Sequence, residues 1–105
     1  MIKVSILYPN KPGGRFDLDY YLNRHMPMAI EALGDTLRGV TVEHGLTGDT
    51  PEAPPPYVAM CHFLFDSVES FMSAFMPHAD ALQGDIPNYT DVEPGIQISE
   101  VMLSR

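Results

Sequence analysis

Apolar and polar residues alternate over residues 2–8, IKVSILY. Ile2, Val4, Ile6 and Tyr8 fall on one side, with Lys3, Ser5 and Leu7 on the other. A period of two predicts a strand. Residues 9–16, PNKPGGRF, hold two prolines and the Gly13-Gly14 pair, which predicts a loop. From Leu18 the period changes. Leu18, Tyr21, Leu22, His25, Met26, Ala29 and Leu33 recur at helical spacing, with Asp17 placed as N-cap and Gly34 as the stop. Pro27 interrupts this helix. It cannot donate to the Asn23 carbonyl and its ring crowds that carbonyl. The helix is therefore expected to kink or break around Met26, leaving the carbonyl open to a ligand or water.

Residues 37–48 predict the second strand, with Val40, Val42, His44 and Leu46 on one face. Four prolines within residues 49–56 predict a loop. Residues 57–65, YVAMCHFLF, predict a third strand that is apolar on both faces. Asp66 and Glu69 have the spacing of a capping box at the start of a second helix. Its stripe is Val68, Phe71, Met72, Phe75, Ala79 and Leu82, interrupted at Pro77. Residues 83–95 form a long connection, a length that often accompanies function. Residues 96–103, IQISEVML, predict the last strand.

The order β-α-β-β-α-β predicts an α+β, ferredoxin-like fold: a four-stranded antiparallel sheet with two helices on one face. Residues 1–105 are expected to form a single domain. Two helices cover only one side of the sheet, yet the third strand is apolar on both. The expected cover is a second copy of the chain, packed sheet against sheet as a homodimer.

Composition narrows the function. Of 105 residues, 45% are apolar and 19% charged, as in globular proteins. The net charge is −8, and no Lys or Arg lies between Arg38 and Arg105, where ten Asp or Glu do. Nucleic acid needs a basic footprint, and an anionic membrane surface does too. No apolar run approaches the ~18 residues of a membrane span. The opening residues read as a strand rather than a secretory signal. The lone Cys61 excludes an internal disulfide and a cysteine-based zinc site, and a reducing, cytoplasmic setting is expected. Apolar neighbours on its strand predict an inert thiol. The acidity reads first as solubility, and a small neutral or weakly polar ligand fits it better than a polyanion does.

Polar chemistry concentrates in residues 8–28. Tyr21 and His25 are four apart and share a helix face that is otherwise Leu, Met and Ala. Imidazole exchanges protons near neutral pH, and an apolar face favours its uncharged form. A neighbouring phenol can orient the proton. His25 and Tyr21 are thus the candidate catalytic residues. Tyr8, Met26, His44, His62, Phe71 and Phe75 are the candidate substrate-binding residues. Of His44 and His62, one is expected to face the helices and the other the dimer seam. Tyr20 is out of phase with the stripe and is expected at the surface or the dimer edge. Metal-ligand spacings such as H-x-H and H-E-x-x-H are missing, and so is any nucleotide fingerprint, so neither metal nor cofactor is predicted. The seven methionines, mostly helix-borne, are expected to pack the core, and they would also suit an adaptable pocket for an apolar ligand.

The segment ILYPNKPGGRFDLDYYLNRHMPM resembles the EthD family, small proteins named for a component of ethyl tert-butyl ether degradation. The pattern is a first strand ending in Tyr8, a short loop, then Phe16, Tyr20-Tyr21 and His25-x-Pro27 on the first helix. Family members often carry Trp second in the aromatic pair, where this chain has Tyr21. The resemblance implies a dimeric α+β barrel with a pocket between each sheet and its own helices. Related barrels include cofactor-free monooxygenases, muconolactone isomerases, polyketide cyclases and some haem enzymes. Fold alone does not choose among them. The expected function is cofactor-free proton-transfer or oxygenation chemistry on a small apolar or aromatic catabolic substrate. A non-catalytic carrier of a hydrophobic metabolite is the second reading. A haem-binding barrel using His44, His62 or His25 is the third.

Overall fold

The computed structural model describes residues 1–105. Four strands, β1 (Ile2–Pro9), β2 (Gly39–His44), β3 (Tyr57–Phe65) and β4 (Gly95–Glu100), form one antiparallel sheet in the order β2-β3-β1-β4. The first helical region comprises α1 (Leu18–Tyr20) and α2 (Met26–Leu33), and the second α3 (Val68–Phe75) and α4 (Ala79–Gly84). This is the ferredoxin-like α+β arrangement expected from the sequence.

Register decides which residues share a face. Val4 lies opposite Phe63 and Ile98, and Ile6 opposite Cys61 and Ile96. These side chains face the helices together with Tyr8, Ala59 and Phe65. Most of that face is core: Val4, Tyr8, Ala59, Cys61, Phe63 and Phe65 are buried. The other face of β3 presents Val58, Met60, His62 and Leu64, all half-buried. It carries no helix.

The interruption of the first helix has a definite form. Residues Tyr21–His25 make a π-helical turn in which the Met26 N–H donates to the Tyr21 carbonyl, five residues back. Pro27 follows in the first turn of α2, where its missing N–H is tolerated. Tyr21, His25, Met26, Ala29 and Leu33 are buried, while Leu22, placed on the same stripe by spacing, is exposed. Asp17 caps α1, its side chain accepting from the Tyr20 N–H. Gly34 ends α2 at φ 64°, a backbone conformation that glycine adopts without strain.

Some local expectations fail. The cap of α3 is Ser67, whose hydroxyl accepts from the Ser70 N–H, and not Asp66 with Glu69. Asp66 is instead drawn away by Arg38, at 2.9 Å. β2 stops at His44, and Leu46 beyond it is 84% exposed. β4 is shorter than its apolar pattern, leaving Met102 and Leu103 exposed outside the strand. No helix is long and apolar enough to cross a membrane.

Candidate functional site

A cavity of about 260 Å³ lies between the helices and the β1–β4 half of the sheet. Val4, Ile6 and Tyr8 form its floor with Ile96 and Ile98. Met26, Ala29 and Leu33 of α2 and Phe71, Met72 and Phe75 of α3 form the opposite wall. Ile86, Tyr89 and Pro94 close one end from the connection before β4. The lining includes no Lys or Arg.

His25 is the titratable imidazole on this wall and is 8% exposed. Tyr21 stacks on it, with ring centroids 5.5 Å apart and planes 15° from parallel. Tyr89 packs against its other surroundings at 4.7 Å. The π turn places Tyr21 and His25 at its two ends, so the stacking is local to that turn. The Nδ1 atom of His25 lies 2.9 Å from Oδ2 of Asp85. The other ring nitrogen, Nε2, bonds nothing in the protein, yet it is not sealed in the interior.

Asp85 is itself held. The Tyr20 hydroxyl donates to Oδ1 at 2.6 Å, and the Asn88 amide donates to the same atom at 2.9 Å. Burial raises the Asp85 pKa, but hydrogen bonds from Tyr20, Asn88 and His25 outweigh it, so the carboxyl ionises below its ordinary value. Tyr20 is therefore no simple surface residue: its ring is half-buried and stacks on Tyr89, with centroids 6.3 Å apart. Behind the imidazole, the Tyr8 and Tyr89 hydroxyls share a hydrogen bond of 2.7 Å. Burial pushes the phenol pKa values of Tyr8, Tyr21 and Tyr89 up, so all three stay neutral. Burial also pushes the Cys61 thiol up to about 12. Its sulfur lies against Met26 at 4.0 Å, and a buried thiol of this kind is inert.

The connection that delivers Asp85, Asn88 and Tyr89 is docked along the segment before α1. The Tyr89 carbonyl accepts from the Asp17 N–H at 2.7 Å, and the Thr90 hydroxyl donates to the Arg15 carbonyl at 2.6 Å. The Arg15 side chain donates to the Pro87 carbonyl at 2.8 Å. A β-bridge between Phe16 and Thr90 completes the junction.

Of the candidates named from sequence, Tyr8, Tyr21, His25, Met26, Phe71 and Phe75 meet on the cavity wall. His44 and His62 do not. His44 shares the helix-facing side by register, opposite Ala59, but it sits exposed at the end of edge strand β2, across the sheet from β4. His62 points to the uncovered face, where Nδ1 lies 2.7 Å from the Ser5 hydroxyl and Nε2 3.0 Å from Glu43. No three His, Cys, Asp or Glu side chains converge as metal ligands. Asp85, Asn88 and Tyr89 were not singled out by sequence. The only signal was the unusual length of their connection.

The EthD domain matches residues 15–93, the span that carries His25, Asp85 and Tyr89. No curated protein matches the chain. Among solved structures, an EthD-like protein from Ralstonia eutropha JMP134 is 50% identical, with a TM-score of 0.94, over 99% of this chain and 94% of that one. An ethyl tert-butyl ether D (EthD) family protein from Bacillus halodurans C-125 shares the fold at 20% identity and a TM-score of 0.68, over 97% and 99%. HapK from Hahella chejuensis shares it at 13% identity and a TM-score of 0.55, over 98% and 95%. With half of its residues shared with an EthD-like protein along nearly its whole length, the chain belongs to the EthD family.

Proposed function

We propose that this EthD-family protein binds a small uncharged apolar or aromatic molecule in the cavity under α2 and α3, and that His25 transfers a proton on it. Two observations carry this reading: His25 lines an otherwise greasy cavity, and its Nε2 has no protein partner and is not sealed in the interior. A general base must have an available nitrogen within reach of the ligand. Tyr21 keeps the ring plane by stacking, and Tyr8, Met26, Phe71 and Phe75 supply the apolar contact. Proton transfer by imidazole requires no cofactor. With no cation in the lining, an anionic substrate would lose its hydration without a counter-charge.

The test is deuterium wash-in at acidic C–H positions, followed by proton NMR over a panel of small aromatic ketones and enolisable rings. Wild type is expected to bind and exchange, and His25→Gln to bind but not exchange. Binding without exchange by wild type identifies a carrier, the reading favoured by the apolar lining alone. Failure to bind any panel member overturns both.

The same reading includes a homodimer. The uncovered sheet face, with Val58, Met60 and Leu64 only half-buried, supports a second copy packed against it. Wild type is expected to sediment as a dimer at micromolar concentration and Leu64→Lys as a monomer. A monomeric wild type would remove the dimer.

A further inference from the structure

Asp85 receives three donors on two oxygens. Tyr20 and Asn88 both donate to Oδ1, which leaves Oδ2 for His25. An ionised carboxylate only accepts hydrogen bonds, and a neutral imidazole carries one N–H. The nitrogen facing Asp85 must therefore be the protonated one. We propose that Asp85 is the positioning residue of the site: it holds the proton of neutral His25 on Nδ1, presents Nε2 to the cavity as a lone pair, and so selects uncharged ligands that offer a proton, such as phenols and enols. This rests on the cavity being the binding site.

The step balances without any further reactant. The ligand O–H or acidic C–H bond breaks, its electron pair stays on the ligand, and the proton passes to Nε2. The ring becomes an imidazolium with Nδ1–H still on Asp85, and Nε2–H then returns its proton to another ligand atom. Asp85 supplies the counter-charge for the cation during that interval. The same negative charge, with no Lys or Arg on the lining, disfavours a ligand that arrives already ionised. A ligand that can only accept meets a lone pair at Nε2.

Nitrogen-15 NMR of the unliganded protein at alkaline pH reads the tautomer directly, with His25 assigned by its loss in His25→Gln. Wild type is expected to show Nδ1 protonated and Nε2 bare. Asp85→Asn is expected to shift most of the population to Nε2–H, and Tyr20→Phe, which leaves the carboxylate in place, to keep Nδ1 protonated. A proton on Nε2 in wild type overturns the proposal, as does an unchanged tautomer in folded Asp85→Asn. If Asp85→Asn does not fold, Asp85→Ser carries the test, and an unaltered tautomer in it overturns the proposal. Because no ligand is present, this outcome is independent of whether the cavity binds one. Selectivity is read with three probes. 1-Naphthol is expected to bind at least about 10-fold more tightly than 1-fluoronaphthalene or 1-naphthoate, a gap of about 1.4 kcal/mol. Equal affinity for naphthol and fluoronaphthalene overturns the selectivity.

Discussion

Two histidines in this molecule meet a carboxylate at nearly the same distance, His25 with Asp85 at 2.9 Å and His62 with Glu43 at 3.0 Å. Only one of them is placed for chemistry. His62 has both ring nitrogens engaged, the second by Ser5, on the sheet face opposite the cavity that His25 lines. Its bonds cross three neighbouring strands and consume the ring's whole hydrogen-bonding capacity. His25 lines an apolar hollow and has one nitrogen held and one without a protein partner. Pairing with a carboxylate is thus not the mark of a site. The mark is an unengaged nitrogen in a place where a ligand can exclude water.

The largest effect expected from this contrast is on exchange activity. His25→Gln should lower the deuterium wash-in rate by about 100- to 10,000-fold, the usual weight of a general base. His62→Gln should leave it within about twofold. Equal losses in the two variants would erase the distinction.

The two sheet faces should also differ in stability. Phe65 is fully buried under the helices and packs on Phe71, with ring centroids 5.2 Å apart. Phe65→Ala is expected to cost about 3–5 kcal/mol in urea unfolding. Leu64→Ala, on the uncovered face, is expected to cost less than about 1.5 kcal/mol in the monomer. In a dimer its effect should grow with protein concentration, because association adds to apparent stability.

Ser5→Ala sharpens the contrast from the other side. It frees the Nδ1 of His62 and is expected to cost about 1 kcal/mol. It should create no exchange activity, since that ring is not part of the lining of the apolar cavity. New activity in this variant would mean that a bare nitrogen is sufficient.

The smallest effect concerns acid stability. The folded Asp85 has a pKa below its unfolded value of about 3.9. Its contribution is complete above that value and disappears as pH falls through the lower, folded one. The gap in melting temperature between wild type and Asp85→Asn should therefore narrow as pH is lowered from about 6 to about 2. A gap that widens would contradict the ionised carboxylate.

Much of this fold is legible in one dimension. Residues 2–8 and 57–65 alternate, and β1 and β3 lie there. Asp17, Pro27 and Gly34 mark the start, interruption and end of the first helical region through their own backbone chemistry. The Tyr21–His25 pair is legible because a helical period is local. Asp66 misled because Arg38, distant in sequence, competes for its carboxylate. β2 and β4 ended early because apolar composition does not say where a neighbouring strand stops.

The sequence by itself determined the order of elements, the helix-facing stripe and the presence of an imidazole on it, since each follows from periods of two or nearly four residues. Tertiary structure alone decided that Asp85, sixty positions away, would hold that imidazole, and that His44 and His62 would lie elsewhere. The connection bearing Asp85 has no periodicity of its own. Its path comes from hydrogen bonds to Arg15 and Asp17 and from the burial of Tyr89, which exist only once the chain has closed on itself.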